Sequence, residues 1–370
     1  MQKTIVVSAV NLKVGGTLTI LRDCLAYLST LAASGEYRVV ALVYQKELAL
    51  YPHIEYIEMQ WPKKRWVNRL WCEYVSMKKI SRQLAPVFLW LSLHDTTPSV
   101  VAERRAVYCH NSFPFYRWSF RELFFSPKIV LFALFSKYAY KVNIHKNQAV
   151  IVQQQWFKDE FIRMFGLNKE TIIISPPSPP KGDTPVVSNT EPFERYSFFF
   201  PAAPDSHKNY QCICQAAQWL EKELPDAKFD VYMTIKGDEN KYVRWLYSKW
   251  GKTTSLNWIG YLNKEALYTY YNRSQCLLFP SKVETWGLPI TEFATFHKPM
   301  LLADLPYAHE TGGGAEQVAF FDPEDPRALA NQMKQLITGD SSLLHPVERP
   351  RLTPPVADSW ADLFTVLLKK

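Results

Sequence analysis

The chain offers little to metal, redox or membrane-spanning chemistry. Its six cysteines stand at 24, 72, 109, 212, 214 and 276. Only Cys212 and Cys214 are close in sequence, and no second pair follows them, so the spacing of a zinc site is missing. Scattered thiols fit a reducing, cytoplasmic setting better than a disulfide framework. The glycine pattern G-x-G-x-x-G is absent, which argues against a dinucleotide-dependent dehydrogenase. No apolar run approaches the roughly 20 residues a membrane helix needs; the longest, from Ile129 to Phe135, is stopped by Ser136-Lys137. No leader is apparent, because Met1-Gln2-Lys3 runs directly into the strand-like Thr4-Ile5-Val6-Val7. A soluble or peripheral protein is therefore expected.

Acidic residues are scarce in the first half. Residues 1–180 hold 23 Lys and Arg against 12 Asp and Glu, whereas the remainder holds 20 against 23. This imbalance suits a first half that meets an anionic surface or polyanion, and a second half that does not.

What is present is alternation. Strand-like Ile5–Val10 leads through a Gly15-Gly16 loop into a helical pattern over 17–33. Further strand patterns fall at 38–44, 87–93, 106–109 and 149–152. Residues 175–194 are proline-rich and read as a stiff linker. A second alternation follows: strands at 196–200, 229–235, 256–259, 276–279, 300–303 and 318–321, with helical patterns between them. A last helical pattern, 357–368, puts Trp360, Leu363, Phe364 and Leu367 on one face. The predicted class is α/β: two Rossmann-like, doubly wound parallel sheets, 1–174 and 195–354, on either side of a cleft. The segment 355–370 is expected to cross back to the first domain. Ligands in such sheets bind beyond the carboxyl ends of the strands.

The most informative run is Pro280-Ser281-Lys282-Val283-Glu284-Thr285-Trp286-Gly287-Leu288-Pro289-Ile290-Thr291-Glu292. Apolar Cys276–Phe279 enters it as a buried strand. Pro280 to Gly287 is turn chemistry, and Pro289 opens a helix because its missing N–H would be unpaired there anyway. Glu284 then sits in the loop and Glu292 about one turn inside the helix. The amides of Gly287 and Leu288 face out of the helix start, where anions are favoured.

This run resembles the E-x7-E motif of retaining glycosyltransferases with the GT-B fold, family 4 (group 1) in particular. The likeness includes Phe279-Pro280-Ser281, Trp286-Gly287-Leu288-Pro289 and Glu292-Phe293-Ala294. It implies transfer of a sugar from a nucleoside diphosphate to an acceptor hydroxyl with retention at the anomeric carbon. Glu284 is then assigned to the donor sugar and Glu292 to the ribose. Lys208, in His207-Lys208-Asn209, resembles the family lysine that neutralises the diphosphate; charge builds there as the glycosidic bond breaks. Relatives often carry an arginine six residues earlier, where this chain has Ala202. His207 or helix N-terminal amides are the available substitutes. Gly15 and Gly16 match the loop that approaches donor phosphates. Gly237, in a Gly-Asp turn, and Gly260-Tyr261, near the base, complete the donor set. No D-x-D triplet occurs, so neither a metal nor another cofactor is expected.

Two histidines end strands. His110, followed by Asn111, resembles the first-domain histidine that contacts the donor sugar, and His94 is its rival. Residues 60–82 hold seven basic residues against one acidic residue, Glu73, with Trp66 and Leu70 at helical spacing. Lys63, Lys64, Arg65, Trp66 and Arg69 read equally as an interfacial membrane patch or as a solvated helix.

The resemblance implies a glycan or lipid-linked acceptor, assembly of a surface polysaccharide such as O-antigen or capsule, and a peripheral place on the cytoplasmic face of a membrane. Two other readings stand beside it. One is a GT-B phosphorylase or epimerase. The other is a basic nucleic-acid-binding protein without catalysis, which leaves the strand-end motifs without a use, so no nucleic acid is expected as partner.

Overall fold

The computed structural model describes every residue except 1, 14, 119, 178–190, 227 and 370, and not the side chain of Arg121. Most of the proline-rich stretch 175–194 therefore lies outside the described residues. Two compact units emerge: 1–111 with 135–178 and 352–370, and 112–134 with 179–351.

The first unit is built on β1 (Lys3–Ala9), β2 (Tyr37–Val43), β3 (Ile54–Glu58), β4 (Val87–Ser92), β5 (Arg104–Tyr108), β6 (Ala149–Val152) and β7 (Ile172–Ile174). All pairs are parallel and the order is β3-β2-β1-β4-β5-β6-β7. Parallel neighbours need long crossovers, and the helix Gly15–Ala33 supplies the one from β1 to β2. Side chains alternate between two cores. Ile5, Val7 and Ala9 of β1 join one core with Val39, Ala41 and Val43 of β2. Val6, Val40 and Leu42 join the other. Burial on both faces explains why these strands read as unbroken apolar runs. The helix Trp360–Leu368 puts Leu363, Phe364 and Leu367 into the first of those cores, and Phe364 stacks on Tyr27 at 5.5 Å.

The second unit repeats the plan. Its strands are β8 (Tyr196–Phe200), β9 (Phe229–Met233), β10 (Leu256–Trp258), β11 (Cys276–Phe279), β12 (Met300–Ala303) and β13 (Val318–Phe321). They are parallel, in the order β10-β9-β8-β11-β12-β13. In both sheets the order reverses beside the first strand, between β1 and β4 and between β8 and β11. Crevices form at such points, outside the carboxyl ends.

Several elements carried no clear signal in the sequence. β3 is a half-exposed edge strand, β7 is three residues long, and the helix Gln155–Phe165 follows β6 with almost no loop. The apolar stretch 129–135 lies within a helix, Pro127–Lys141.

Candidate active site

In the second unit the reversal point assembles the site. β8 and β11 are hydrogen-bonded neighbours, with Cys276 beside Phe198 and Leu277 beside Phe199. Their carboxyl ends therefore release two loops side by side, 201–209 and 280–287. Lys208 ends a single helical turn, Ser206–Lys208, in the first loop. Its Nζ donates to Glu284 Oε1 of the second loop at 2.5 Å, although the two residues are 76 positions apart. Both side chains are mostly buried, so each is neutralised chiefly by the other.

The loops are locked together by their backbones. The Lys282 amide donates to His207 O at 2.8 Å, and Asn209 Nδ2 donates to Pro280 O and Pro323 O at 3.2 and 2.8 Å. Tyr307 Oη donates to Ser281 O at 2.7 Å. Asp205, which the sequence reading did not single out, stands beside the pair. Burial raises its carboxyl above the ordinary range; Glu284 pushes the same way and Lys208 opposes.

His207 does not supply a second positive charge in place of the missing arginine. Its ring is buried, with Phe113 edge-on at 5.1 Å and Tyr116 at 6.3 Å. Burial, reinforced by Lys208, holds the imidazole well below its ordinary value and keeps it neutral. Amides are the remaining substitute. Gly287 has φ +91 and caps the helix Leu288–Ala294; an added Cβ would meet Ile290 Cδ1 at 3.2 Å. Pro289 has no N–H, and the Ile290 amide already donates to Gly287 O at 2.9 Å. The donors this helix start can offer are thus the amides of Gly287 and Leu288.

Glu292 lies one turn into that helix and accepts from Tyr271 Oη at 2.9 Å. Burial raises its carboxyl above the ordinary value; the Tyr271 bond and Lys264 pull it back down. The partner tyrosine was not legible, since Tyr271 is one of several aromatics in Tyr268-Thr269-Tyr270-Tyr271.

Gly237 and Gly260 lie in the loops that follow β9 and β10, both with positive φ. The Gly237 amide donates to Glu239 Oε2 at 3.1 Å. Lys236, another residue not singled out, lies across Gly260, where an added Cβ would meet its Cε at 2.6 Å. Tyr261 is 88% exposed.

The first unit holds the remaining candidates. Gly15 begins the helix after β1 with φ +64, and Gly16 is exposed beside it. His110 follows β5. Its amide donates to Asp95 Oδ1 at 2.7 Å and its Nε2 lies 3.6 Å from Asp95 Oδ2. Asp95 thus fixes the histidine, a role that its place beside His94 at a strand end could have suggested. The Asn111 carbonyl accepts from Tyr140 Oη at 2.8 Å.

His94 is differently placed. It is 2% exposed. Its ring nitrogens contact Ser8 Oγ at 3.1 Å, and Arg69 Nη2 and Thr96 Oγ1 at 3.2 Å. Burial, then Arg69, holds it well below its ordinary value. Both nitrogens of His94 are engaged in the core, whereas the His110 side chain, 7% exposed, is held beside Asp95 at the end of its strand. Arg69 belongs to the His94 cluster. Its guanidinium binds buried Glu73 and donates to His94 O at 3.0 Å. It therefore neutralises an internal carboxylate, unlike Lys64, Arg65 and Trp66, which face solvent. Lys63 is exposed too and reaches Asn11 O at 3.4 Å.

Known proteins share this plan. Residues 187–351 match the family described as glycosyl transferases group 1. The curated O-antigen chain mannosyltransferase B of Escherichia coli is 23% identical over 208 residues, and the match spans about half of each chain, 54%. Among solved structures, sucrose-phosphate synthase from Thermosynechococcus elongatus superposes with a TM-score of 0.62 at 14% identity, covering 92% of this chain and 91% of that one. Anabaena HepE, solved with UDP-glucose, gives 0.61 at 14% identity and 92% of both chains. WaaG, a glycosyltransferase of lipopolysaccharide biosynthesis, gives 0.61 at 13% identity, 91% of this chain and 93% of its own. At such identities the superpositions speak to fold, and the family match speaks to residues 187–351. The chain thus carries a domain of the glycosyl transferases group 1 family over residues 187–351, on the two-sheet GT-B fold of glycosyltransferases.

Proposed function

We propose that this protein is a retaining glycosyltransferase that moves a sugar from a nucleoside-diphosphate sugar to an acceptor hydroxyl, on a lipid-linked glycan of a surface polysaccharide. The observation that carries the reading is the Lys208–Glu284 pair at the reversal point of the second sheet, 2.5 Å apart. A buried, mutually compensated cation and carboxylate can separate when a ligand brings its own charge and hydroxyls. Lys208 would then face the diphosphate and Glu284 the sugar hydroxyls. Glu292 is assigned to the ribose. The Gly287 and Leu288 amides take the second phosphate charge, and His110 the sugar; Gly15, Gly16, Gly237, Gly260 and Tyr261 complete the donor contacts. Lys208 and the amides stabilise the leaving diphosphate, so no metal is invoked. A leaving phosphate oxygen can accept the acceptor proton on the face where attack occurs, which gives retention.

The named function of the E. coli relative supports an O-antigen-type acceptor. The patch around Lys63, Lys64, Arg65 and Trp66, with Trp66 64% exposed, supports a peripheral place on the cytoplasmic face of a membrane. No helix among the described residues is long and apolar enough to cross a membrane.

Thermal-shift titration with UDP-, GDP-, ADP- and dTDP-sugars, combined with slow donor hydrolysis, tests the proposal. Stabilisation by one nucleotide with release of its sugar supports it and names the donor. No response to any of them, together with salt-sensitive binding to nucleic acid, would overturn it.

A further inference from the structure

The second unit carries a recess set apart from the Lys208–Glu284 pair. It lies between the helix Tyr210–Glu223 and the start of the helix Pro326–Ile337, and neither Lys208 nor Glu284 lines it. Its volume, about 560 Å³, falls within the range of small-ligand pockets. Gln211, Gln215 and Trp219 recur every fourth residue along the first of these helices, so they share one line of its surface. All three line the recess. Phe120 lines it too and is 85% exposed. A ring so open to water gains little from core packing.

The charges around the recess are already met within the protein. Lys282 and Glu324 both line it. Lys282 Nζ lies 2.8 Å from Glu324 Oε1 and 3.9 Å from Glu122 Oε1. The Arg327 guanidinium sits 5.1 Å from the centre of the Trp219 ring. Two cations thus stand with two carboxylates, a balance that favours neither an anion nor a cation as ligand.

What remains is amide and aromatic chemistry. Gln211 Nε2 donates to Gln215 Oε1 at 3.4 Å. Side-chain amides present donors and acceptors together, and a hydroxyl both gives and takes a hydrogen bond. The negative face of an aromatic ring attracts the slightly positive C–H groups of a sugar ring. Amides, open aromatic rings and a closed ion pair in one recess therefore suit an uncharged polyol with an apolar face.

We infer that this recess is a second carbohydrate site, which takes a short stretch of uncharged glycan away from the place of transfer. Phe120 and Trp219 meet its C–H faces, and Gln211 and Gln215 meet its hydroxyls. The inference goes beyond the transferase reading and stands without it, because binding here is read without any transfer.

The test uses the full chain and saturation-transfer NMR, with mannotriose, maltotriose and triacetylchitotriose as probes. At least one of them should bind. The combined variant Phe120→Ala, Gln215→Ala should weaken that binding by about tenfold or more. Neither side chain belongs to the buried core, so its melting temperature and its nucleotide-sugar thermal shift should match those of the wild type. Phe120→Ala alone, at an exposed ring, repeats the test without touching the helix. Phe120→Tyr keeps the ring and should keep the affinity. Excess UDP or GDP should leave the oligosaccharide bound. The inference is overturned if none of the probes binds, or if the alanine variants bind as the wild type does. Displacement of the oligosaccharide by UDP or GDP also overturns it, because the sugar would then occupy the transfer site.

Discussion

Lys208 and Glu284 lie 76 residues apart in sequence, yet their side chains meet at 2.5 Å. The parallel pairing of β8 and β11 causes this, because it releases both loops on the same edge of the sheet. Each group compensates the other, so removing one leaves a mostly buried charge. Lys208→Ala is expected to weaken nucleoside-diphosphate binding and to slow sugar transfer by about 10²–10³, the loss seen when one transition-state donor is removed. Glu284→Ala should abolish transfer with the fold intact. In a double-mutant cycle on donor affinity the two losses should fall well short of adding. Additive losses would mean that the residues act independently.

Glu292 gives a pH-dependent prediction. Burial raises its carboxyl above the ordinary value of 4.5. Its favourable contribution to folding is therefore present below that value, and is lost as pH rises through the raised one. At neutral pH the buried carboxylate costs stability. Glu292→Gln should melt higher than wild type near neutrality, with the difference vanishing in acid, while donor affinity falls. Calorimetric melting across pH checks this. A variant that melts lower at neutral pH would contradict it.

Gly287 holds a conformation other residues resist, and a side chain there would crowd Ile290. Gly287→Ala should cost about 1–3 kcal/mol and displace the amides proposed to meet the phosphate. Denaturant unfolding together with a nucleotide titration measures both effects. Unchanged affinity would remove those amides from the site.

Arg69 and its basic neighbours should separate cleanly. Glu73 is 1% exposed, and Arg69 is its cationic partner. Arg69→Ala should cost about 3–5 kcal/mol, because it strands a buried charge. Lys64→Glu with Arg65→Glu should leave the melting temperature near wild type and weaken binding to anionic vesicles. If Arg69→Ala melts normally, Glu73 is neutralised in some other way.

Phe113 packs edge-on to His207 at 5.1 Å, next to Lys208. Phe113→Ala should cost about 1–2 kcal/mol, since the ring is only partly buried. It should also lower transfer more than the stability loss alone accounts for. Transfer rates measured well below the melting temperature test this. A variant with normal transfer would confine Phe113 to packing.

Much of this was legible in the chain. Parallel strands buried on both faces must be apolar throughout, so β1, β2, β4 and β6 stand out as runs. The run Pro280–Glu292 announces strand, turn and helix start because proline and glycine leave few backbone choices. Edge strand β3 and the three-residue β7 gave no comparable signal, since one is half exposed and the other too short for a period. The grouping of 112–134 with the second unit was equally silent, because sequence order does not record which core a connecting segment joins.

The sequence by itself therefore determined the alternation of strands and helices, the strand-end placement of the candidate residues and the likeness to a glycosyltransferase motif. These follow from local backbone preferences and the period of burial. Only the tertiary structure decided which groups meet. It joined Lys208 to Glu284, Tyr271 to Glu292, and Arg69 to Glu73. It turned His94 inward and kept His207 neutral, and it gathered Phe120, Gln215 and Trp219 along one recess. Those outcomes depend on contacts between distant segments and on the burial they create, and neither is encoded at any single position.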